Sequence, residues 1–177
     1  MKMNEKMLKY VDVKVVFAEI PSEITLAISI SGCPCHCPGC HSSYLSEDIG
    51  ERLDISTLDS LIEKQKDGIT CVCFMGGDAD PAYISQLAGH IHRHYPKIKT
   101  AWYSGVDLYE GHPSDYIDIA LDRISHKVNL SVFDYIKYGS YDSKAGPLTS
   151  KTTNQVLLKI EDGHTTDITS EFWKEKI

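Results

Sequence analysis

The segment Ile24-Thr25-Leu26-Ala27-Ile28-Ser29-Ile30-Ser31-Gly32-Cys33-Pro34-Cys35-His36-Cys37-Pro38-Gly39-Cys40-His41 changes character at its middle. Ile24–Ile30 is short, apolar and β-branched, which predicts a strand closed by Ser31-Gly32. The next stretch crowds four of the chain's six cysteines between Cys33 and Cys40. Cys33, Cys37 and Cys40 stand at the spacing C-x3-C-x2-C. On a helix they would share a face, but Pro34, Pro38 and Gly39 oppose a helix, so a loop wrapped around a compact inorganic group is expected. Thiolates are the usual protein ligands of iron–sulfur clusters, and three of them on a cubane leave one iron open to a substrate. Zinc is the competing occupant. Cys33, Cys35, Cys37, Cys40, His36 and His41 exceed the four ligands of a tetrahedral site, but structural zinc sites usually pair one knuckle with a distant second pair. The distant cysteines here, Cys71 and Cys73, fall inside an apolar strand. Cys35 is a surplus thiol with no ligand role assigned, and His36 and His41 read as loop residues that shape the site.

Outward from this loop the chain alternates strands and helices. Val11–Ile20 precedes it as a strand. Ile55–Lys66 has helical spacing, with Asp54 or Ser56 as N-cap. Ile69–Met75 is a continuous apolar run ending at Gly76-Gly77, the pattern of a strand covered on both faces. Asp80-Pro81 opens a helix to about His94, with Asp80 as cap and Pro81 at the first helical position. Ile98–Tyr103 is a strand ending at Ser104-Gly105, Ser114–Leu121 a short helix, and Val132–Lys137 a strand ending near Gly139. Val156–Ile160 and Thr166–Thr169 are late strands, possible partners in an antiparallel pair. The βαβαβαβ order predicts an α/β fold with a parallel sheet and outer helices. Five or six core strands are too few for an eight-stranded closed barrel, so an open, partial βα barrel is expected. It would form a single domain over residues 1–177, with the cluster loop at 31–41 and late strands and tail at 155–177. The active site would lie at the C-terminal strand ends.

The chain has 177 residues, 42% of them hydrophobic, and a formal charge of −7 without any Lys/Arg-rich run. That size supports one sizeable core, and the charge argues against a nucleic-acid groove, which needs concentrated cations. No apolar run is long enough for a membrane span. Met1–Val11 mixes Lys2, Lys6 and Lys9 with Asn4 and Glu5 and lacks the apolar core of a signal peptide, so a cytoplasmic location is expected, where clustered thiols read as metal ligands or redox groups. Cys71 and Cys73 share one strand face. They read as small buried residues, the alternative being a redox dithiol or side chains beside a cofactor.

C-x3-C-x2-C after a strand, in a βα-repeat chain, resembles the radical S-adenosylmethionine superfamily. The resemblance implies that Cys33, Cys37 and Cys40 hold a 4Fe–4S cluster whose open iron binds the amino and carboxylate groups of S-adenosylmethionine. An electron from the reduced cluster then breaks the sulfonium C–S bond to give methionine and a 5′-deoxyadenosyl radical. Phe74-Met75-Gly76-Gly77-Asp78-Ala79-Asp80-Pro81 resembles the superfamily's "GGE" segment, whose backbone meets the methionine amino group; Asp78 stands where Glu is usual.

Within the superfamily, Cys37-Pro38-Gly39-Cys40, Ala101-Trp102-Tyr103-Ser104-Gly105, the stretch Phe133–Tyr141 and the stretch Gly146–Gln155 resemble the activating proteins of anaerobic ribonucleoside-triphosphate reductase. One departure is that many such proteins carry a His where Cys35 stands, while here His36 is one place later. The resemblance implies an oxidoreductase that makes a glycyl radical on that reductase, with flavodoxin or ferredoxin as electron donor. Ser104-Gly105 at one strand end, and Asp134 or Lys137 on another, are candidates to contact the ribose or carboxylate of the cofactor, a plain turn and solvent-facing charges being equally open readings. Of Trp102 and Tyr103, which alternate faces, one enters the core. Asn154-Gln155 either meets the partner loop or caps a strand. Two other readings stand beside this one. The first is another small enzyme of the superfamily, such as a pyruvate formate-lyase activase or a 7-carboxy-7-deazaguanine synthase. The second is a non-catalytic zinc-binding adaptor.

Overall fold

The computed structural model describes residues 7–105 and 117–174. Its strands are β1 (Lys9–Val16), β2 (Thr25–Ile30), β3 (Glu51–Arg52), β4 (Cys71–Met75), β5 (Lys99–Tyr103), β6 (Tyr135–Tyr138), β7 (Val156–Glu161) and β8 (His164–Asp167). They form one sheet in the order β3-β1-β2-β4-β5-β6-β7-β8. β2, β4, β5 and β6 are mutually parallel, in the registers Thr25↔Cys71, Cys71↔Lys99 and Ala101↔Tyr135. Antiparallel strands flank this centre on both sides. The helices α1 (Ile55–Glu63), α2 (Pro81–His94) and α3 (Ile117–Ser125) lie in the three connections between the parallel strands.

The parallel strands are mostly apolar because both of their faces are covered. Val72, Phe74, Trp102 and Ile136 pack toward the helices, where they meet Leu58, Ile62, Ile84, Leu87 and Ile91. Each such side chain contributes about 1.5–3 kcal/mol through burial. On the other face Cys71, Cys73, Ala101, Tyr135 and Leu157 form a smaller cluster with Ile20. Helix α2 starts where the sequence predicts. The Asp80 carboxylate accepts from the Tyr83 N–H at 3.0 Å, Pro81 occupies the first turn, and His92, Arg93 and His94 close the last one. Asp54 caps α1 in the same way, accepting from the Thr57 N–H at 2.9 Å. Among the described residues no helix is long and apolar enough to cross a membrane.

Several boundaries differ from the sequence reading. Strand β1 stops at Val16, and the following bends carry Ile20 into the second cluster. Helix α1 ends at Glu63, with Lys64 as its C-cap. Residues 114–116 of the expected Ser114–Leu121 helix lie outside the described residues, and the helix runs on to Ser125. Val132 belongs to a 3-10 turn over Leu130–Val132, in which Asn129 Oδ1 accepts from the Ser131 N–H, so β6 begins only at Tyr135. Thr169 starts another 3-10 turn, Thr169–Trp173, rather than ending a strand, because its hydroxyl and N–H both bond Asp167 Oδ1. The two-residue β3 has too little sequence to announce itself.

Candidate metal centre

The cysteine segment is a loop, as its prolines require. The backbone is left-handed at Gly32 (φ 73°), Gly39 (φ 74°) and also at His36 (φ 46°), a conformation uncommon for a residue with a side chain. The loop's entrance is fixed by Gly32 N–H to Glu47 O at 3.0 Å, Cys33 N–H to Leu45 O at 2.8 Å and Ser31 Oγ to Ile49 O at 2.5 Å. Its exit folds on itself through Cys40 N–H to Cys37 O at 3.1 Å. The Ser42 N–H points at Cys40 Sγ at 3.4 Å, an interaction of the kind that tunes cluster thiolates. The His41 ring lies 5.2 Å from that of Tyr141, which ties this loop to the segment after β6.

The loop opens on a cavity of about 490 Å³ at the C-terminal ends of the parallel strands, lined by all four loop cysteines together with Met75, Gly76, Asp78, Ser104 and Lys137. Gly76 and Gly77 have φ of 107° and 93°, and a Cβ on Gly77 would lie 2.5 Å from Ile84 Cδ1, so the turn requires glycine there. The Gly76 N–H donates to Tyr103 O at 3.0 Å, and its carbonyl accepts from Trp102 Nε1 at 2.9 Å. Asp78 reaches across to the end of β5. Its Oδ1 accepts from Ser104 Oγ at 2.5 Å, and its Oδ2 accepts from the Gly105 N–H at 3.1 Å and from Cys35 Sγ at 3.8 Å.

Lys137, at the far end of β6, is 8% exposed and donates to Ser104 O (3.2 Å) and Gly139 O (2.9 Å). Burial pushes its ammonium below the ordinary lysine value, against the opposing pull of Asp78 and of Cys37, Cys35 and Cys40. Burial also raises the Glu19 carboxyl at the cavity wall, where the Glu19 carbonyl accepts from the Tyr103 hydroxyl.

The thiols divide into two groups. Those of Cys33, Cys35, Cys37 and Cys40 are half-buried. A hydrogen bond with Cys35 holds Cys33 down to about 6, and the same contact together with burial pushes Cys35 up. Cys71 and Cys73 are fully buried, and burial raises both thiols far above their ordinary value, so they remain neutral core groups. Cys73 Sγ lies 3.4 Å from the Met75 sulfur at the cavity floor.

Of the residues singled out in the sequence, Cys33, Cys37, Cys40, Gly76, Asp78 and Ser104 line this one cavity, and Gly77 stands just behind it. Asp134 is not with them. It precedes β6, so it sits at the end of the sheet where the parallel strands enter. There its carboxylate accepts from the Thr100 N–H at 2.8 Å and lies 3.3 Å from His92 Nε2. Lys137, three residues later, has crossed the sheet and takes the cavity position. Trp102 enters the core, while Tyr103 faces the cavity. Gln155 lines the cavity, and the Asn154 amide braces Ser140 O at 2.9 Å. Sequence reasoning passed over Glu19, in the bends after β1, and Phe172, in the 3-10 turn that begins at Thr169; neither segment carries a motif.

Thiolate donors at the mouth of one open cavity, with an N–H aimed at sulfur and a buried ammonium below, suit an anionic 4Fe–4S cubane. A family model described as "4Fe-4S single cluster domain" matches residues 24–158, a span that covers the cysteine loop, all four parallel strands and the cavity wall up to β7. No curated protein and no solved structure gives a significant match. The chain belongs to the 4Fe–4S single cluster domain family.

Proposed function

We propose that this member of the 4Fe–4S single cluster domain family is a radical S-adenosylmethionine activase. In this reading Cys33, Cys37 and Cys40 hold the cluster in a partial βα barrel, and the protein generates the glycyl radical of anaerobic ribonucleoside-triphosphate reductase. The supporting observation is that three successive strand ends converge on one cavity: the cysteine loop after β2, the Gly76-Gly77 turn after β4 and Ser104-Gly105 after β5. When bound, the reduced cluster supplies the electron that breaks the sulfonium C–S bond of S-adenosylmethionine.

The chain's own residues bind, orient and shield. The left-handed Gly76 presents bare backbone beside the cysteines. Asp78 and Ser104 offer oxygen atoms to an amine or a ribose at the same rim. Lys137 would supply a cation at the cavity wall for the methionine carboxylate. Met75 and Tyr103 line the cavity with apolar surface that excludes water from a reactive radical. The open mouth admits a peptide loop, as a protein substrate requires.

Anaerobic reconstitution followed by a 5′-deoxyadenosine assay tests the reading. The expected result is reductant-dependent formation of 5′-deoxyadenosine, with a glycyl EPR signal appearing in added reductase. Normal cluster loading with no 5′-deoxyadenosine under any reductant overturns it.

A further inference from the structure

Cys35 has no part in the three-cysteine cluster, yet it is not idle in the fold. Cys33 Sγ, Cys35 Sγ and a carboxylate oxygen of Asp78 all lie within 4.8 Å of one another. That is the spacing of donors converging on a single ion; the corners of a cubane stand farther apart. The three groups are held in place from different directions. Asp78 is pinned by Ser104 Oγ and by the Gly105 N–H. Cys35 packs under Gly105, so closely that a Cβ there would sit 3.1 Å from its sulfur. Cys33 is fixed at the loop entrance by its N–H bond to Leu45 O. Cys37 and Cys40 line the same cavity but stand outside this triad.

We propose that the cluster-free chain binds one thiophilic divalent cation, zinc or ferrous iron, through Cys33, Cys35 and Asp78, in a site that excludes the cluster because both need Cys33. Two thiolates and a carboxylate with a water in the fourth position form an ordinary tetrahedral set for such an ion. Binding forms two metal–sulfur bonds and one metal–oxygen bond, releases to solvent the thiol protons that remain on Cys33 and Cys35, and replaces the Cys35–Asp78 hydrogen bond. No electrons are transferred. Loss of the cluster would thus leave the loop closed over a single ion rather than open with four free thiols. The exclusion, though not the ion site itself, rests on the reading of Cys33 as a cluster ligand.

The test is an anaerobic titration of the full-length, cluster-free protein with Co²⁺, read by thiolate-to-cobalt charge-transfer absorption. One Co²⁺ per chain is expected in the wild type and in Cys37→Ser and Cys40→Ser. Cys35→Ser is expected to lose about half the charge-transfer intensity, and Asp78→Asn to bind at least ~10-fold more weakly. Cys35→Ala provides a second variant, and circular dichroism confirms that each variant is folded. One equivalent of Zn²⁺ should displace the cobalt and block later cluster assembly in the wild type but not in Cys35→Ala. Loss of cobalt binding in Cys37→Ser or Cys40→Ser, with Cys35→Ser unaffected, would place the ion on the cluster cysteines and overturn the proposal. Failure of the wild type to assemble any cluster would sink the cluster reading while leaving the cobalt result standing, so the two failures are distinguishable.

Discussion

The two ends of the parallel strands are built from the same strands and put to opposite uses. At the entering end one carboxylate, Glu23, is buried with both of its oxygens bonded. Lys99 Nζ at 2.5 Å and the Tyr135 hydroxyl at 2.7 Å bond its Oε1, and the Thr70 hydroxyl bonds its Oε2 at 2.6 Å. At the leaving end Asp78, Lys137 and four thiols face a cavity of about 490 Å³. Between them lie Cys71, Cys73, Ala101 and Leu157, a small apolar floor common to both. A buried polar group raises stability only when its partners are complete, so the closed end holds the sheet together and leaves the open end free to hold a cofactor.

The largest effect that this contrast predicts is a loss confined to the open end. Cys40→Ser should abolish cluster binding, with iron and acid-labile sulfide falling to background after anaerobic reconstitution. The unfolding free energy of the cluster-free chain should change by no more than about 0.5 kcal/mol, since Cys40 is half-buried and its sulfur accepts a long N–H bond from Ser42. A large drop in urea stability would mean that the loop is part of the scaffold, and the division between the ends would fail.

The closed end predicts the converse. Glu23→Gln should lower stability by about 2 kcal/mol, the scale of hydrogen bonds to a charged group, and leave cluster loading unchanged. Its pH dependence has a definite sign. Burial pushes the Glu23 carboxyl up, but the bonds from Lys99, Thr70 and Tyr135 outweigh it and hold the group below its ordinary value of 4.5. The unfolded chain therefore takes up the proton first. The carboxylate's contribution is complete above 4.5 and is lost as the pH falls through the folded value. Urea midpoints of the wild type and Glu23→Gln should converge on acidification below 4.5. Curves that stay parallel there would show that the cage does not depend on charge.

The sequence was legible where local chemistry and fold agree. The apolar run at Ile69–Met75, the Gly-Gly turn and the Asp80-Pro81 cap each determine their own structure, and the cysteine spacing identified the loop without help from its neighbours. What failed was depth along a strand. Asp134 and Lys137 lie three residues apart in one polar-looking stretch, and the choice between the sheet's two ends depends on where β6 begins. That start is set by Asn129 capping a 3-10 turn and by Asp134 bonding the Thr100 N–H across to β5. The Glu23 cage was illegible for another reason. Its partners at 70, 99 and 135 come from three separate strand entrances, and only the assembled sheet brings them together.

The smallest effect concerns Lys137, a cation of β6 at the cavity wall. It is buried there; burial lowers its pKa, and Asp78, Cys37, Cys35 and Cys40 pull the other way, toward its charged form. Lys137→Met keeps the length of the side chain and removes the charge. A unit charge near the cluster stabilises the added electron of the reduced state, so the variant's midpoint potential should fall by at least roughly 50 mV, the ~1 kcal/mol that a unit charge contributes even across about 16 Å at an effective dielectric near 20. Glu23→Gln, at the far end of the same strands, should leave the potential where it is. Equal shifts in both variants would show that the potential follows the general packing of the sheet rather than a cation placed at the cluster, and the two ends would no longer be electrically distinct.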